Sequence, residues 1–281
     1  MHLILFKVAA IFYLISSIIY LTFLLRSKGS RCLSGFAFVT GGLVAHTISI
    51  IHLFIAQGYF PMATGFDALS LFAWLIVAIH TILQLRDLNP VLGAMAAPIA
   101  TVLMFAASTL SYQITQPIVP VLKSWWLPIH VSFALAGNAV FTIMAMAGAM
   151  YIFQERLIKK KKIGRFHRIL PSLETLDTLN RRALPIGFFL LTLGIISGAL
   201  WASSAWGSYW DWDPKETWSL ITWFAYAAMV HQRLALGWRG KKAAVLALAG
   251  FALVMFTFIG VSFLFPGHHS FVSSAYWVVF T

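Results

Sequence analysis

The stretch Trp206–Trp218 reads WGSYWDWDPKETW, and the chain organises itself outward from it. Trp206, Trp210, Trp212, Trp218 and Tyr209 crowd into it together with the carboxylates Asp211, Asp213 and Glu216. Tryptophan and tyrosine favour the membrane–water boundary, where an apolar ring and a polar edge are both satisfied. An aromatic belt anchoring two helices would need one or two such residues, and a lipid-buried segment would not carry Asp-Trp-Asp-Pro-Lys-Glu. A flat aromatic platform for a large planar ligand explains the density better. The end of the stretch also reads as a helix start, with Asp213 as N-cap, Pro214 at N1 and Glu216 at N3. That reading absorbs Asp213 and Glu216, with a carboxylate metal cluster or an acid–base pair as the competing one; Asp211 stays outside the cap.

Around the stretch the chain is apolar almost end to end. Of its 281 residues, 60% are hydrophobic and only 10% charged, with a mean hydropathy of +0.85. That composition predicts an all-α polytopic membrane protein, a single integral-membrane unit over 1–281. A spanning helix needs about 20 mostly apolar residues. Eight such runs can be read, near 4–25, 34–57, 66–85, 91–109, 127–153, 184–204, 218–236 and 243–265. A short surface helix is expected near Ser172–Leu179, where Ser172 offers a weak capping signal. The first run is too long for a cleavable signal and is followed by no small-residue cleavage site.

The net charge of +12 is distributed as a topology signal rather than as a nucleic-acid footprint. Apart from Lys7, Lys123 and Lys215, the Lys and Arg residues cluster at Arg26–Arg31, Arg86, Arg156–Arg182 and Arg233–Lys242, between alternate runs. By the positive-inside rule these clusters are cytoplasmic and both termini extracytoplasmic. The tryptophan stretch then lies outside, between the sixth and seventh spans, with Trp125 and Trp126 on the same face. The Lys159–Lys162 run reads as an anchor on the lipid bilayer. Nucleic acid is not an expected partner.

Position sorts the nine histidines. His2 and His167 fall in a terminus and a basic loop. His130 opens the fifth span, and His268 and His269 follow the last, so these flank the aromatic stretch at one membrane depth. Two imidazoles on opposite faces complete the coordination of a haem iron; the competing reading is that each only caps a helix end. His46, His52, His80 and His231 fall within spans, where an ionisable group faces a bundle interior or a functional cavity. A neutral histidine bonded to a neighbouring helix is the alternative for each. The single cysteine, Cys32, excludes a disulfide framework, a CxxC redox pair and a thiolate zinc site. The chain shows no HExxH, GxSxG, P-loop or glycine-rich nucleotide fingerprint.

At these residues a family resemblance enters. WGSYWDWDPKETWSLITW resembles the WWD domain of the haem-handling proteins of cytochrome c maturation. FAYAAMVHQRLALGWRGKKAA and GVSFLFPGHHSF, with WLPIHVSFALAGNAVF and GYFPMATGFDALSLFAW, resemble the CcsA (ResC) subunit of the system II cytochrome c synthetase. The likeness runs from about His46 to Phe271. The system I members CcmC and CcmF share a WWD but usually lack WDPKETW followed by LGWRGKK.

The resemblance implies haem b (protohaem), at one or two sites, and an iron held externally by His130 and by His269 or its neighbour His268. His231 matches the family's transmembrane histidine and His46 a mid-span one, with His80 as an alternate. Trp206, Tyr209, Trp210, Asp211, Trp212 and Trp218 would form the platform, with Trp125 and Trp126 beside it, and Lys215 or Lys123 would pair with a propionate, a salt bridge from Lys215 to Asp211 being the alternative. The implied partners are a CcsB/ResB-like membrane subunit and the CxxCH segment of apocytochrome c, whose thiols add to the haem vinyl groups. The implied place is a bacterial cytoplasmic (inner) membrane or a thylakoid. His268, Phe271, Ser262 and Asp67 depart from the residues usual in relatives. A haem exporter or chaperone without ligation activity, and a non-haem membrane scaffold, are the alternatives.

Overall fold

Backbone amides in hydrocarbon must find their partners within the segment, so apolar runs of this length become helices. The computed structural model describes residues 1–26, 32–58, 60–62, 64–86, 90–110, 124–161 and 164–267. Their helices are α1 (His2–Arg26), α2 (Leu33–Gln57), α3 (Gly65–Arg86), α4 (Pro90–Ser108), α5 (Trp126–Lys159), α6 (Arg165–Ile169), α7 (Leu173–Trp206), α8 (Pro214–Leu234), α9 (Lys241–Met255) and α10 (Val261–Leu264). A π-helical turn, Phe256–Gly260, joins α9 to α10.

Seven helices among the described residues are long and apolar enough to cross a membrane, counting α9 through α10 as one, and the protein is an integral membrane protein. The eighth expected span, 218–236, is helical as α8 but falls short of that composition. His231, Gln232 and Arg233 crowd its last turn.

Two helices run further than expected. α5 continues to Lys159, beyond 153, and α7 starts at Leu173 rather than 184. The surface helix expected near Ser172–Leu179 is therefore the first part of α7. Ser172 does cap it, its Oγ accepting from Thr175 N at 3.1 Å. Leu176, Asn180 and Ala183 bury one stripe of this extension, so an amphipathic helix persists where hydropathy alone ends a span. Pro185 in α7 and Pro98 in α4 interrupt neither helix.

α5 is the shared wall of two half-bundles and is buried on every side from Phe141 to Gly148. On one flank α1 turns Phe6, Ala9, Tyr13, Ser16, Ser17 and Tyr20 inward, one face of the helix, against α2, α3 and α4. On the other, Phe141 stacks on Tyr226 of α8 with centroids 3.6 Å apart, beside Met144, Leu191 and Val254. Lipid is as apolar as leucine, so close packing rather than the hydrophobic effect holds such helices together. Glycines set that closeness between α5 and α7: a Cβ on Gly194 would stand 3.1 Å from the Ala134 backbone, and one on Gly187 would enter the Phe141 ring.

Candidate functional site

The N-terminal end of α5, the C-terminal end of α7 and the start of α8 meet the π turn around one open cavity of about 300 Å³. That is at the lower edge of the roughly 300–1,000 Å³ usual for ligand pockets. The tryptophan stretch forms its rim: residues 207–213 link α7 to α8, and Trp206, Tyr209 and Trp210 line the opening. A Gly207 in the left-handed region, φ 81°, ends α7, and Trp212 adopts φ 58°, so the linker doubles back sharply.

The expected helix start at the end of this stretch is present in full. The Asp213 carboxylate accepts from Lys215 N at 2.8 Å, and Glu216 Oε2 accepts from Asp213 N at 3.3 Å, a capping box with Pro214 inside it. Glu216 Oε2 also accepts from Asp211 N at 2.9 Å, so the same carboxylate ties the linker down. A box of this kind satisfies two orphan amides reciprocally.

His130 stands on the cavity wall with its geometry held from three directions. Its Nδ1 lies 2.7 Å from the Gly194 carbonyl. Since a carbonyl only accepts, that contact places the proton on Nδ1 and the lone pair on Nε2, the arrangement an imidazole needs to ligate a metal. The ring lies parallel to Trp201, at 8° with centroids 6.4 Å apart. It rests on Gly198, where a Cβ would come within 2.7 Å of Nδ1. Trp201 in turn meets Trp206 edge-on at 4.9 Å.

The remaining expected site residues are dispersed. Unlike Tyr209, which stays on the rim though 61% exposed, Trp212 is 69% exposed and packs edge-on against Trp210 at 5.9 Å without lining the cavity. Asp211 is exposed beside it. Trp218 turns toward the π turn, meeting Phe256 at 4.6 Å, and Trp125 and Trp126 are exposed at the start of α5. His231 is exposed on α8, about 20 Å from Trp218 along the axis at the helical rise. His46 is fully buried in the other half-bundle, its Nε2 2.8 Å from Ser70 Oγ and its Nδ1 3.3 Å from Tyr13 OH. His80 is buried there too, edge-on to Tyr20, whose hydroxyl donates to Gln84 at 2.8 Å. His268 and His269 lie outside the described residues.

Four residues at these sites escaped the sequence reading. Trp201 sits inside an apolar run and passes for a spanning residue; its five-residue distance from Trp206 is not a same-face helical spacing. Gly194 and Gly198 mark helix contact without saying which side chain they admit. Asp177, on the α7 extension, takes a two-pronged ion pair from the buried Arg233, at 2.9 and 2.6 Å, and accepts from Gly240 N at 2.8 Å. Arg233 also donates to the Trp238 carbonyl at 2.8 Å, so the LGWRG loop is closed onto α7 at the end of the bundle opposite the cavity.

With this geometry established, relatives can be compared. The chain matches the cytochrome C assembly protein family over residues 4–269. It is 34% identical to cytochrome c biogenesis protein CcsA of Pyropia yezoensis over 266 residues, covering 81% of this chain and 83% of that one. The CcsA proteins of Synechocystis sp. and Guillardia theta are 35% and 37% identical, with 77% and 82% of this chain and 81% and 83% of theirs covered. Among solved structures, the cytochrome c haem lyase CcmF superposes at a TM-score of 0.65 over 92% of this chain. It shares 19% sequence identity, and the chain spans about half of that protein, 48%. The chain belongs to the cytochrome c assembly family of CcsA/CcmF-type, WWD-bearing membrane proteins, and its field of action is cytochrome c biogenesis.

Proposed function

We propose that the protein holds haem b in the cavity beneath the tryptophan stretch and presents it, on the outer face of the membrane, for covalent attachment to the CxxCH motif of apocytochrome c. The observation that carries this is His130: an imidazole whose Nδ1 is anchored to a backbone carbonyl at the wall of an aromatic cavity. The lining fits such a group, since Trp201, Trp206 and Trp210 offer indole surface and His130 an oriented nitrogen donor.

In this reading His130 would hold the haem iron, together with His269 or His268 from the C-terminal tail. His231 is the ligand at the inner side, where its exposed position on α8 faces a second subunit or lipid. His46 is assigned a structural part, because Tyr13 and Ser70 occupy both its nitrogens. Bound haem supplies the vinyl groups that accept the two cysteine thiols. The protein ligates, stacks the ring and limits the approach of water; positioning of this kind is the protein's share of cofactor chemistry. The exposed Tyr209 and Trp212 stand where an incoming peptide would arrive.

The basic loops, read by the positive-inside rule, put the LGWRG end in the cytoplasm and the cavity outside. α8 then crosses the bilayer with its polar last turn at the inner boundary. A CcsB/ResB-like subunit completes the synthetase. The membrane is a bacterial inner membrane or a thylakoid, in keeping with the sources of the relatives. Purified protein co-expressed with the partner is expected to show a Soret band and, in reconstitution, to attach haem to a CxxCH peptide. A Soret band without attachment would favour a haem chaperone; no Soret band after haem loading would remove the reading altogether.

A further inference from the structure

The charged part of the tryptophan stretch, Asp213-Pro-Lys215, touches a part of the chain some fifty residues away. Lys215 runs its ammonium to the Phe258 carbonyl, at 3.3 Å inside the π turn, and to Ser262 Oγ on α10. The same ammonium stands 5.5 Å from the centre of the Phe258 ring. One turn along α8 Trp218 packs on Phe256, and about two turns along Thr222 and Thr257 share a hydroxyl–hydroxyl bond of 2.8 Å. Beyond α10, the Asp213 carboxylate lies directly against the backbone of Gly267, leaving no room for a side chain there.

These contacts follow one another in order, from Phe256 through Phe258 and Ser262 to Gly267. A π turn widens a helix by one residue and shifts its carbonyls out of the regular ladder, and such turns recur at functional sites. Here Lys215 supplies a charged donor to the shifted carbonyl, a stronger bond than a neutral donor gives. Thr257, Phe258 and Lys215 also line the cavity, so the clamped segment is part of its wall.

We infer that Lys215 and Asp213 are positioning residues: they clamp residues 258–267 to the start of α8, and so hold in place the wall that Thr257 and Phe258 give the cavity. The motif thereby links its two halves, the indoles forming the rim and the Asp-Pro-Lys step holding part of the wall. The bearing of this inference on haem rests on the function proposed above; the clamp does not.

The test uses the full chain in lipid nanodiscs, first without haem, reading hydrogen–deuterium exchange over residues 258–267. Loss of a hydrogen bond to a charged group predicts at least about tenfold faster exchange there in Lys215→Met, a smaller rise in Lys215→Arg, and none in His130→Ala. Gly267→Val attacks the same clamp from the tail side and is expected to act like Lys215→Met. Unchanged exchange in both variants overturns the clamp. The protein is then titrated with haem in the Soret region, where Lys215→Met and Gly267→Val should both weaken binding by about tenfold, and Lys215→Arg by less. Faster exchange with unaltered haem affinity overturns the link between the clamp and the cavity. A wild-type protein that takes up no haem would sink the proposed function and leave the exchange result to judge the clamp.

Discussion

Gly198→Ala adds one methyl group on the surface of α7 where the His130 ring rests. The new Cβ would stand 2.7 Å from both Nδ1 and Cε1 of His130, roughly 0.8 Å inside the closest comfortable contact of about 3.5 Å. The helices could part to relieve it only by giving up the close packing of Gly194 on the Ala134 backbone one turn away. The ring must swing, and the 2.7 Å bond from Nδ1 to the Gly194 carbonyl stretches or breaks, at a cost of about 0.5–1.5 kcal/mol. Helix propensity pulls the other way, since alanine is favoured over glycine by about 1 kcal/mol in a helix interior. The two nearly cancel in stability, but only one of them bears on the ligand. Changing what orients a metal-bound histidine lowers metal affinity about 10- to 100-fold. Gly198→Ala is therefore expected to melt near the wild-type temperature by circular dichroism while haem titration in the Soret region shows that loss. Affinity within about twofold of wild type, with melting unchanged, would refute the idea that Gly198 holds the His130 ring.

Other substitutions separate the cavity from its surroundings. Trp201→Ala removes the ring parallel to His130 and should weaken haem binding by tenfold or more, whereas Trp218→Ala, facing Phe256, should cost stability but leave affinity nearly intact; paired titrations decide between them. Asp213→Ala removes the cap of α8 and should lower stability by about 0.5–2 kcal/mol, measured by thermal melting. Asp177→Asn leaves Arg233 without its two-pronged carboxylate, a loss of about 1–3 kcal/mol for a part-buried charged group that keeps its bonds to the Trp238 and Asp177 carbonyls. Arg233→Lys should not rescue the wild-type melting temperature, because an ammonium cannot span both carboxylate oxygens.

The helical class and the places of seven of the eight expected spans were legible because apolar runs of fixed length leave the backbone no alternative. The start of α8 was legible too, since Asp213, Pro214 and Glu216 make a cap from neighbouring residues alone. The true lengths of α5 and α7 were not, because hydropathy registers where a helix leaves hydrocarbon rather than where its hydrogen bonds stop. The π turn at Phe256–Gly260 left no trace in a run that is uniformly apolar. At the cavity, the tryptophan stretch and His130 announced themselves by composition and position. Yet the stretch divides in a way composition hides: Trp206, Tyr209 and Trp210 line the cavity, while Trp212 and Trp218 point elsewhere. The partners of His130 could not be read at all. Gly194, Gly198 and Trp201 lie more than sixty residues away, and only the register of α5 on α7 brings them to the ring.

The most direct test of the whole account is the spectrum of the iron itself. Wild-type protein purified with its partner subunit should carry haem b in a six-coordinate, low-spin state with two nitrogen ligands. His130→Gly should lose that state and regain it when imidazole is added. A His130→Gly protein with wild-type haem content and an unchanged low-spin spectrum would contradict the assignment of His130 as a ligand and, with it, the cavity as the haem site.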